Sequence, residues 1–253
     1  MERNGRTVLL TGTSRARGIG AEIARRLAGE GWNVGLTWWL PADAGMSWEG
    51  GPDEPHALVA ELRRSGAAVA WHEADLADPA SPARVFDAIG EALGPVRALV
   101  CSHALSVRGG VMDTTAEDFD RHVAINARAT LLLIRELARR LPDGTPGRVV
   151  ALTSDAIHDE VAYGASKAAM DRVVIAAARE LGPRGITVNA INPGPIDTGW
   201  MTDEIRAAVL ARTPLGRPGT PADAAALVSF LCSDGGGWIT GQILSSNGGL
   251  GVP

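Results

Sequence analysis

Short apolar runs rich in β-branched residues alternate along the chain with segments whose apolar positions recur at helical spacing. The runs are TVLL (7–10), NVGLTW (33–38), AAVAWH (67–72), RALVCS (97–102), GRVVALTS (147–154), GITVNAI (185–191) and GQILSS (241–246). The helical segments between them cover residues 19–30, 55–65, 81–93, 115–141, 161–181 and 221–233. Because strands that alternate with helices form parallel sheets covered on both faces, the pattern predicts a doubly wound α/β fold with seven strands.

Two of the helices begin with capping signals. Thr115 lies three residues before Asp118, and Thr220 directly precedes Pro221. Since no repeat, low-complexity tract or long linker interrupts the pattern, we expect residues 1–253 to form one domain. Segment 161–181 is apolar on almost every side, so either a second subunit covers one side of this helix or the helix lies inside its own domain.

The connection after the second strand is long and rich in tryptophan. It reads WWLPADAGMSWEGGPDEPH (38–56) and holds Trp38, Trp39 and Trp48. Loops of this length without secondary structure are usually functional or disordered. Two interpretations remain open, a lid or binding wall and a surface loop packed by its own aromatic side chains.

The composition excludes several classes of protein. With 45% apolar residues and no run of membrane-spanning length, the chain is typical of a globular protein without a membrane partner. The start lacks a secretory apolar segment, so we expect a cytoplasmic location. A net charge of −5 argues against general nucleic-acid binding. Cys101 and Cys232 fit no disulfide or zinc pattern, so we expect them in the core and expect no metal site.

A glycine-rich turn, TGTSRARGIG (11–20), joins the first strand to the first helix. Gly12, Gly18 and Gly20 stand where backbone N–H groups and a helix N-terminus could approach a pyrophosphate that a side chain would block. Their spacing differs from the GxGxxG pattern of dinucleotide-binding proteins. Taken alone, the motif therefore indicates only a glycine-rich turn.

The motif YGASK places Tyr163 and Lys167 one helical turn apart, on one face of a helix. The pKa of a phenol is near 10, so proton transfer at neutral pH requires a group that stabilises the phenolate, and an ammonium does so. Lowering that pKa to about 7 takes roughly 4 kcal/mol of differential interaction. Ser154, at the end of a strand, could bind the same carbonyl oxygen. These residues predict acid–base chemistry on a carbonyl or an alcohol.

The combined motifs resemble those of the short-chain dehydrogenase/reductases, which are single-domain NAD(P)-dependent oxidoreductases with a Rossmann fold. The likeness covers nearly the whole chain and includes a general likeness to 3-oxoacyl-[acyl-carrier-protein] reductases. Besides TG…GIG, Ser154 and YGASK, it rests on ADL (74–76), Asn126 in VAINARA, NPGPIDT (192–198), RTPLGRPGTPADAA and ITGQILSSNGG (239–249).

The resemblance implies a catalytic role for four residues. Tyr163 would be the general acid in reduction and the general base in oxidation. Lys167 would lower the pKa of Tyr163 and hold the nicotinamide ribose, and Ser154 would orient the substrate carbonyl. Asn126 would fix a water in a proton relay to Lys167. Hydride would pass between the nicotinamide and the carbonyl carbon, with orientation supplied by binding.

The resemblance also implies a set of cofactor-binding positions. Asp75 would meet the adenine with Leu76 beside it, and the backbone of Ile196 and the hydroxyl of Thr198 would meet the carboxamide. The full set is Gly12, Ser14, Arg15, Arg17, Gly18, Ile19, Gly20, Asp75, Leu76, Ser102, His103, Tyr163, Lys167, Pro193, Gly194, Ile196 and Thr198.

Three departures from the family pattern stand out. Five residues separate Gly12 from Gly18 where the family has three, and we expect the extra residues to bulge toward the adenosine phosphate. The family's Asn-Asn-Ala-Gly is replaced by CSHA (101–104), which loses the asparagine hydrogen bonds and puts a histidine in place of alanine. The loop between Ser154 and Tyr163 is trimmed, and its His158 either touches substrate or is solvated.

Cofactor choice depends on the residues near the ribose 2′ position. Thr37, Trp38 and Trp39 end the second strand, and no acidic residue follows until Asp43. An acidic residue here would favour NAD, whereas the guanidinium groups of Arg15 and Arg17 suit a phosphate. The sequence therefore predicts a preference for NADPH, with NADH as the alternative.

We expect an NADP(H)-dependent enzyme that reduces a ketone to a secondary alcohol or catalyses the reverse reaction. A 3-oxoacyl or polyketide-like ketone is the candidate by analogy. The alternatives are a sugar or small-alcohol dehydrogenase, and a catalytically weak sensor that binds a dinucleotide. Segment 199–213 corresponds to the family's substrate lid, and the resemblance implies a homotetramer, or a homodimer, through helices 115–141 and 161–181.

Overall fold

The sheet has seven parallel strands in the order β3-β2-β1-β4-β5-β6-β7, which confirms the predicted fold class. The structure is a computed structural model, and it describes residues 5–43, 51–155 and 160–251. All seven predicted strands are present, each within a few residues of its predicted bounds. They are β1 (Thr7–Thr11), β2 (Asn33–Thr37), β3 (Val69–Trp71), β4 (Val96–Cys101), β5 (Gly147–Leu152), β6 (Ile186–Asn192) and β7 (Ile243–Ser245).

Helices connect the strands on both faces of the sheet. They are α1 (Ile19–Gly29), α2 (Leu40–Asp43), α3 (Glu54–Arg64), α4 (Ser81–Leu93), α5 (Ala116–His122), α6 (Ala129–Arg140), α7 (Val161–Leu181), α8 (Asp203–Arg212) and α9 (Pro221–Cys232). A π-helical turn, Val123–Arg128, joins α5 to α6, so the single helix expected over 115–141 has an irregular middle.

Two of these helices were not predicted. α2 is one turn long, and α8 has no buried residue, so neither has the apolar stripe by which a helix is recognised. A weaker signal for α8 exists at its start. The hydroxyl of Thr202 accepts the backbone N–H of Ile205 at 3.3 Å, and Asp203 and Glu204 occupy the first turn.

Alternate side chains of the strands supply two separate cores. Leu9 of β1 packs toward α4, α6 and α7, whereas its neighbours Val8 and Leu10 pack toward α1, α3 and α9. Cys101 and Cys232 lie one in each core and are buried, as predicted. Among the helices of the described ranges, none is both long enough and apolar enough to cross a membrane.

The predicted helix starts are confirmed by their hydrogen bonds. Thr115 accepts the backbone N–H of Asp118 at 3.1 Å, and the carboxylate of Asp223 accepts that of Thr220 at 2.8 Å.

The strand order reverses beside β1, because the chain leaves β1 for β2 on one side and later returns to β4 on the other. In open parallel sheets, the crevice at the carboxyl ends of such neighbouring strands is where ligands bind. The glycine-rich turn follows β1 and the CSHA segment follows β4, so both lie at this crevice.

Candidate functional site

The glycine-rich turn has no room for side chains at two of its glycines. Gly12 has a φ of +73°, and a Cβ there would lie 2.6 Å from the backbone of His103. A Cβ on Gly20 would lie 2.7 Å from the carbonyl oxygen of Gly12. Gly18 is the N-cap of α1 and brings no side chain to the helix N-terminus. This cradle of backbone N–H groups suits a pyrophosphate.

The crevice continues from this cradle toward β2 and β3. Its lining combines apolar and polar groups from Gly12, Ser14, Thr37, Trp38, Trp39, Ala74, Asp75, Leu76, His103, Ala104 and Ile125. Within the described residues, Thr37 Oγ1 and Trp38 Nε1 are buried and have no hydrogen-bond partner, as expected of groups that a ligand would satisfy. These residues fit a dinucleotide that runs from the glycine turn toward the end of β2.

The tryptophans after β2 contribute to this wall. Trp38 stacks on Trp71 at a centroid distance of 5.1 Å, and His56 lies edge-on to both rings. Trp38 therefore packs against β3 and α3, and Trp39 also lines the crevice. Residues 44–50, and Trp48 with them, lie outside the described residues.

The side chains of Arg15 and Arg17 do not lie at the end of β2, where the sequence predicts that they meet the 2′-phosphate. Arg15 donates to the carbonyl of Thr198 at 2.8 Å and to its hydroxyl at 3.4 Å. The guanidinium of Arg17 lies beside Gly199. Both side chains thus reach the turn after β6 instead of the end of β2. The lengthened loop packs against α3, where Glu54 accepts the N–H of Ala16 at 2.6 Å. The expected bulge toward the adenosine phosphate stays a prediction.

His103 replaces the missing asparagine contacts with its own ring. Nε2 lies 3.0 Å from the carbonyl of Ile125, and Nδ1 lies 2.6 Å from the hydroxyl of Thr11. That hydroxyl also accepts the backbone N–H of Ser102 at 3.2 Å. Burial lowers the pKa of His103 to about 3, with a further contribution from the charge of Lys167, so the ring is neutral.

Ser154, Tyr163 and Lys167 come together where β5 ends and α7 begins. Tyr163 is the only tyrosine of the chain and Lys167 the only lysine. Ser154 and Tyr163 form a side-chain hydrogen bond, and Lys167 Nζ lies 5.7 Å from the centre of the Tyr163 ring. Lys167 Nζ also donates to the carbonyl of Leu152 at 2.7 Å, which fixes the ammonium under the end of β5.

The acid–base properties of the pair differ from the expected ones. Burial raises the pKa of Tyr163 to about 12, the hydrogen bond from Ser154 opposes this rise, and the charge of Glu160 adds to it. Burial lowers the pKa of Lys167 to about 8, against the opposing effects of Cys101 and Asp171. The described residues therefore hold the phenol protonated and do not lower its pKa as the sequence interpretation expects.

Asn126 lies in the π-helical turn and links three parts of the site. Its Oδ1 accepts the N–H of Leu105 at 2.8 Å, and its Nδ2 donates to the carbonyl of Leu105 at 2.9 Å and to Ser166 Oγ at 2.8 Å. Ser166 in turn donates to the carbonyl of Tyr163. Asn126 therefore holds the segment after β4 against α7. Sequence reasoning missed Leu105 and Ser166, and only the position of Ser166 within YGASK could have indicated it.

The turn after β6 needs its glycine. Gly194 has a φ of +65°, and a Cβ there would lie 2.5 Å from Cβ of Asn247, a neighbour that was not predicted. Pro193, Ile196 and Thr198 are buried, and Ile196 forms a β-bridge with Gly219.

At the far end of the crevice, Asp75 Oδ1 accepts the N–H of Ala77 at 2.8 Å, which turns the chain after β3.

The trimmed loop before α7 brings an unpredicted carboxylate to the site. Glu160 forms a β-bridge with Gly109, and Val161 donates its N–H to the carbonyl of Gly109 at 3.1 Å. Burial raises the pKa of Glu160, and the opposite charge of Arg108 counteracts this effect. Residues 156–159 lie outside the described residues, and His158 with them.

Comparison with known proteins identifies relatives along nearly the full length of the chain. Residues 12–251 match the family model described as enoyl-(acyl carrier protein) reductase. An uncharacterized oxidoreductase, YjdA of Bacillus subtilis, is 37% identical over 248 residues, which are 96% of this chain and 95% of that protein. The chloroplastic NADPH-dependent aldehyde reductase-like protein of Arabidopsis thaliana is 36% identical over 257 residues, covering 97% and 94%. The 3-oxoacyl-[acyl-carrier-protein] reductase MabA of Mycobacterium tuberculosis is 31% identical over 254 residues, covering 98% and 93%.

Solved structures agree with the fold. A blue fluorescent protein from a metagenomic library, in complex with NADPH, is 33% identical with a TM-score of 0.87 and full coverage of both chains, 100% and 100%. A short-chain dehydrogenase from Burkholderia cenocepacia, in complex with NADP, is 33% identical with a TM-score of 0.85, covering 98% of each chain.

Proposed function

Since the chain belongs to the short-chain dehydrogenase/reductase family of NAD(P)-dependent oxidoreductases, we propose that it uses NADPH to reduce a ketone to a secondary alcohol. The observation that carries this proposal is the hydrogen-bonded pair of Ser154 and Tyr163, with Lys167 Nζ 5.7 Å from the centre of the Tyr163 ring, where β5 ends and α7 begins. When bound, the reduced nicotinamide supplies a hydride to the carbonyl carbon.

Tyr163 donates the proton from Oη to the carbonyl oxygen in this proposal. Because burial raises the pKa of Tyr163 to about 12, the phenol is in its acid form throughout the neutral range. Ser154 donates a hydrogen bond to the same oxygen and orients it. Lys167, with a pKa of about 8, is mostly cationic at pH 7 and stabilises the phenolate that forms. The reverse oxidation uses the same groups with Tyr163 as the base.

The preference for NADPH rests on the chemistry at the end of β2. Thr37, Trp38 and Trp39 line the crevice there, and none of these three residues carries a carboxylate that would repel a 2′-phosphate. The relative from Arabidopsis thaliana is named as NADPH-dependent, and both solved structures hold NADP or NADPH. NADH remains the alternative cofactor.

We propose an apolar substrate for this site. The segment after β4 exposes Val107, Val111 and Met112, and the lid side exposes Leu210 and Leu215. A 3-oxoacyl thioester or a polyketide-like ketone suits these apolar side chains better than a sugar does. The aldehyde reductase among the relatives makes aliphatic aldehydes the second class to test.

The test is loss of NADPH absorbance on a panel of 3-oxoacyl thioesters, aromatic ketones, aldehydes and sugars. Wild-type turnover that falls at least about 10²-fold in Tyr163→Phe supports the proposal, since general acid catalysis contributes that much. Tight NADPH binding without turnover of any carbonyl favours the sensor alternative. Full activity of Tyr163→Phe would show that the acid is a different group.

We propose that the enzyme is a homotetramer with two kinds of contact. Phe119, Leu131 and Ile175 are exposed in the isolated chain on α5, α6 and α7. A second apolar set on α9, β7 and the turn between them consists of Phe230, Trp238 and Ile243. Two separate apolar surfaces favour a tetramer over a dimer. Light scattering measures the assembly directly, and a monomer would contradict the proposal.

A further inference from the structure

The side chain of Arg15 joins two distant parts of the chain at the crevice. From the glycine-rich turn its Nη2 donates to the carbonyl of Thr198 at 2.8 Å, and its Nη1 lies 3.4 Å from the hydroxyl of the same residue. One guanidinium therefore binds both the main chain and the side chain of Thr198, and Thr198 is buried. A fork of this kind fixes position and orientation together.

Hydrogen bonds from α1 and α3 fix the backbone of the loop at Arg15 and Ala16. Gly18 donates its N–H to the carbonyl of Arg15 at 3.0 Å, and Glu54 of α3 accepts the N–H of Ala16 at 2.6 Å. Arg25 of α1 donates to the carbonyl of Ala16 at 2.8 Å and is itself paired with Glu61 at 2.7 Å. The two extra residues of the loop thus form a supported turn that directs Arg15 across the crevice.

The receiving segment leads directly into the lid helix. Asp197 accepts the N–H of Gly199 at 3.0 Å and pairs with Arg206 of α8 at 2.6 Å. Trp200 donates from its indole to the carbonyl of Ile196 at 2.9 Å. A displacement at Thr198 would therefore be passed to α8 through this turn. α8 has no buried residue of its own to hold it in place.

The chemistry of the contact determines what the hydroxyl of Thr198 can do. A guanidinium has donors only, so Oγ1 of Thr198 accepts from Arg15 and its own proton is left to donate elsewhere. We propose that Arg15 is a positioning residue, which orients this donor toward the cofactor carboxamide and ties the lid segment to the glycine-rich turn. The proposal rests on the proposed cofactor use. It assigns Arg15 a role in placing the nicotinamide end of either cofactor and not in selecting the 2′-phosphate.

The test compares Arg15→Ala and Arg15→Lys with Arg26→Ala, which removes one positive charge from an exposed position on α1, where Arg26 pairs with Glu30. We expect Arg15→Ala to weaken the binding of NADPH and the binding of NADH by similar factors. Each dissociation constant should rise about tenfold, as for the loss of one charge-assisted hydrogen bond. Its kcat should fall by a further factor of about ten, since a misplaced nicotinamide lowers the rate at saturation. Arg15→Lys keeps the positive charge but loses the two-pronged hydrogen bond to Thr198. Compared with Arg15→Ala, it should therefore recover cofactor affinity more than kcat.

A second measurement needs no cofactor. Amide hydrogen exchange over residues 198–212 of the cofactor-free protein should speed up in Arg15→Ala, by about tenfold, and stay unchanged in Arg26→Ala. Unchanged exchange in Arg15→Ala would overturn the proposal, as would a loss of affinity confined to NADPH with normal kcat. If Arg15→Ala does not fold, Arg15→Lys must show the same direction of change in exchange. A wild type that turns over no carbonyl would refute the proposed reaction and leave the exchange result to decide this inference.

Discussion

The hydroxyl of Thr11 lies 2.6 Å from Nδ1 of His103, and this contact closes the floor of the crevice between β1 and β4. The carbonyl of Ile125 only accepts, so Nε2 of His103 carries the ring proton and Thr11 donates to Nδ1. The oxygen of Thr11 is then free to accept the N–H of Ser102. Thr11 and His103 together organise the backbone that the family usually organises with asparagine.

This arrangement predicts sensitivity to acid. The folded protein keeps His103 neutral down to about pH 3, whereas the unfolded chain takes up a proton below its usual value of 6.5. Because the unfolded state binds more protons in this window, the free energy of unfolding falls by about 1.4 kcal/mol for each pH unit below 6.5. Urea unfolding of wild type and His103→Gln between pH 7 and pH 4.5 measures this pH dependence. The free energy of unfolding should change less with pH in the variant than in wild type.

Thr11→Val is the matched control for this prediction. It removes the donor to Nδ1 but leaves the imidazole buried, so it should lower stability by about 1–3 kcal/mol at every pH and keep the slope. Parallel pH curves for wild type and His103→Gln would mean that another group causes the acid sensitivity.

The glycine turn makes a prediction about both binding and stability. In Gly12→Ala, the new Cβ would lie 2.6 Å from the backbone of His103 at a φ of +73°, and the atoms that it meets are backbone atoms and not the end of a flexible side chain. We expect a loss of more than about 2 kcal/mol in stability and no detectable binding of NADPH. Thermal unfolding and cofactor fluorescence measure the two effects.

Gly29→Ala provides the comparison within the same helix–turn unit. Gly29 is exposed at the end of α1, and nothing lies within 4 Å of its added Cβ. Alanine is the better helix former, so this variant should gain up to about 1 kcal/mol and bind NADPH normally. If both variants bind alike, the close approach at Gly12 is not what the cofactor requires.

The fold could be predicted well because buried parallel strands are apolar along their whole length. The inner strands β1, β4, β5 and β6 have such runs, and Leu9 and Leu10 show how both sides of one strand are buried. The edge strands β3 and β7 are only partly buried. α8 could not be predicted in the same way, since a helix without buried residues leaves no apolar stripe.

The site could be predicted by residue type but not by contact. Tyr163 and Lys167 are neighbours on one helix, so their spacing places them together. Arg15 and Thr198 lie 183 residues apart, and only the packing of two loops brings them into contact. For the same reason the raised pKa of Tyr163 was missed, because it depends on burial and on Glu160, which no local motif indicates.

We expect the buried charge of Lys167 to lower the free energy of unfolding. Its pKa falls from 10.5 to about 8 on burial, so between these values the unfolded state binds more protons and stability rises with pH. Below pH 8 Lys167 is charged in both the folded and the unfolded state, so the full free-energy cost of burying this charge lowers the stability. Lys167→Met removes this cost but leaves the carbonyl of Leu152 without its donor, so we expect a net gain of roughly 2 kcal/mol at pH 7.

Unfolding in urea at pH 7 and pH 10 measures this gain, which should shrink at the higher pH, while turnover is lost at both. Lys167 is the only lysine, so biosynthetic labelling of lysine with carbon-13 gives one Cε signal whose titration reports its pKa. Asp171→Asn should move that pKa further down, because the carboxylate of Asp171 raises it. A lysine signal that titrates at the usual value of 10.5 would contradict the buried-charge argument.

Glu160 should keep the phenol of Tyr163 protonated. Its charge raises the pKa of Tyr163, in addition to the larger effect of burial. Glu160→Gln removes that charge, so the pKa of Tyr163 should fall, and the activity of the enzyme in ketone reduction should decline at a lower pH than in wild type. Tyr163 is the only tyrosine, so the ultraviolet absorbance of tyrosinate titrates this one group directly in the cofactor-free protein. Arg108→Gln is the control, since it removes the positive charge that faces Glu160 and should not move the midpoint downward. An unchanged tyrosinate midpoint in Glu160→Gln would show that burial alone holds the proton on Tyr163.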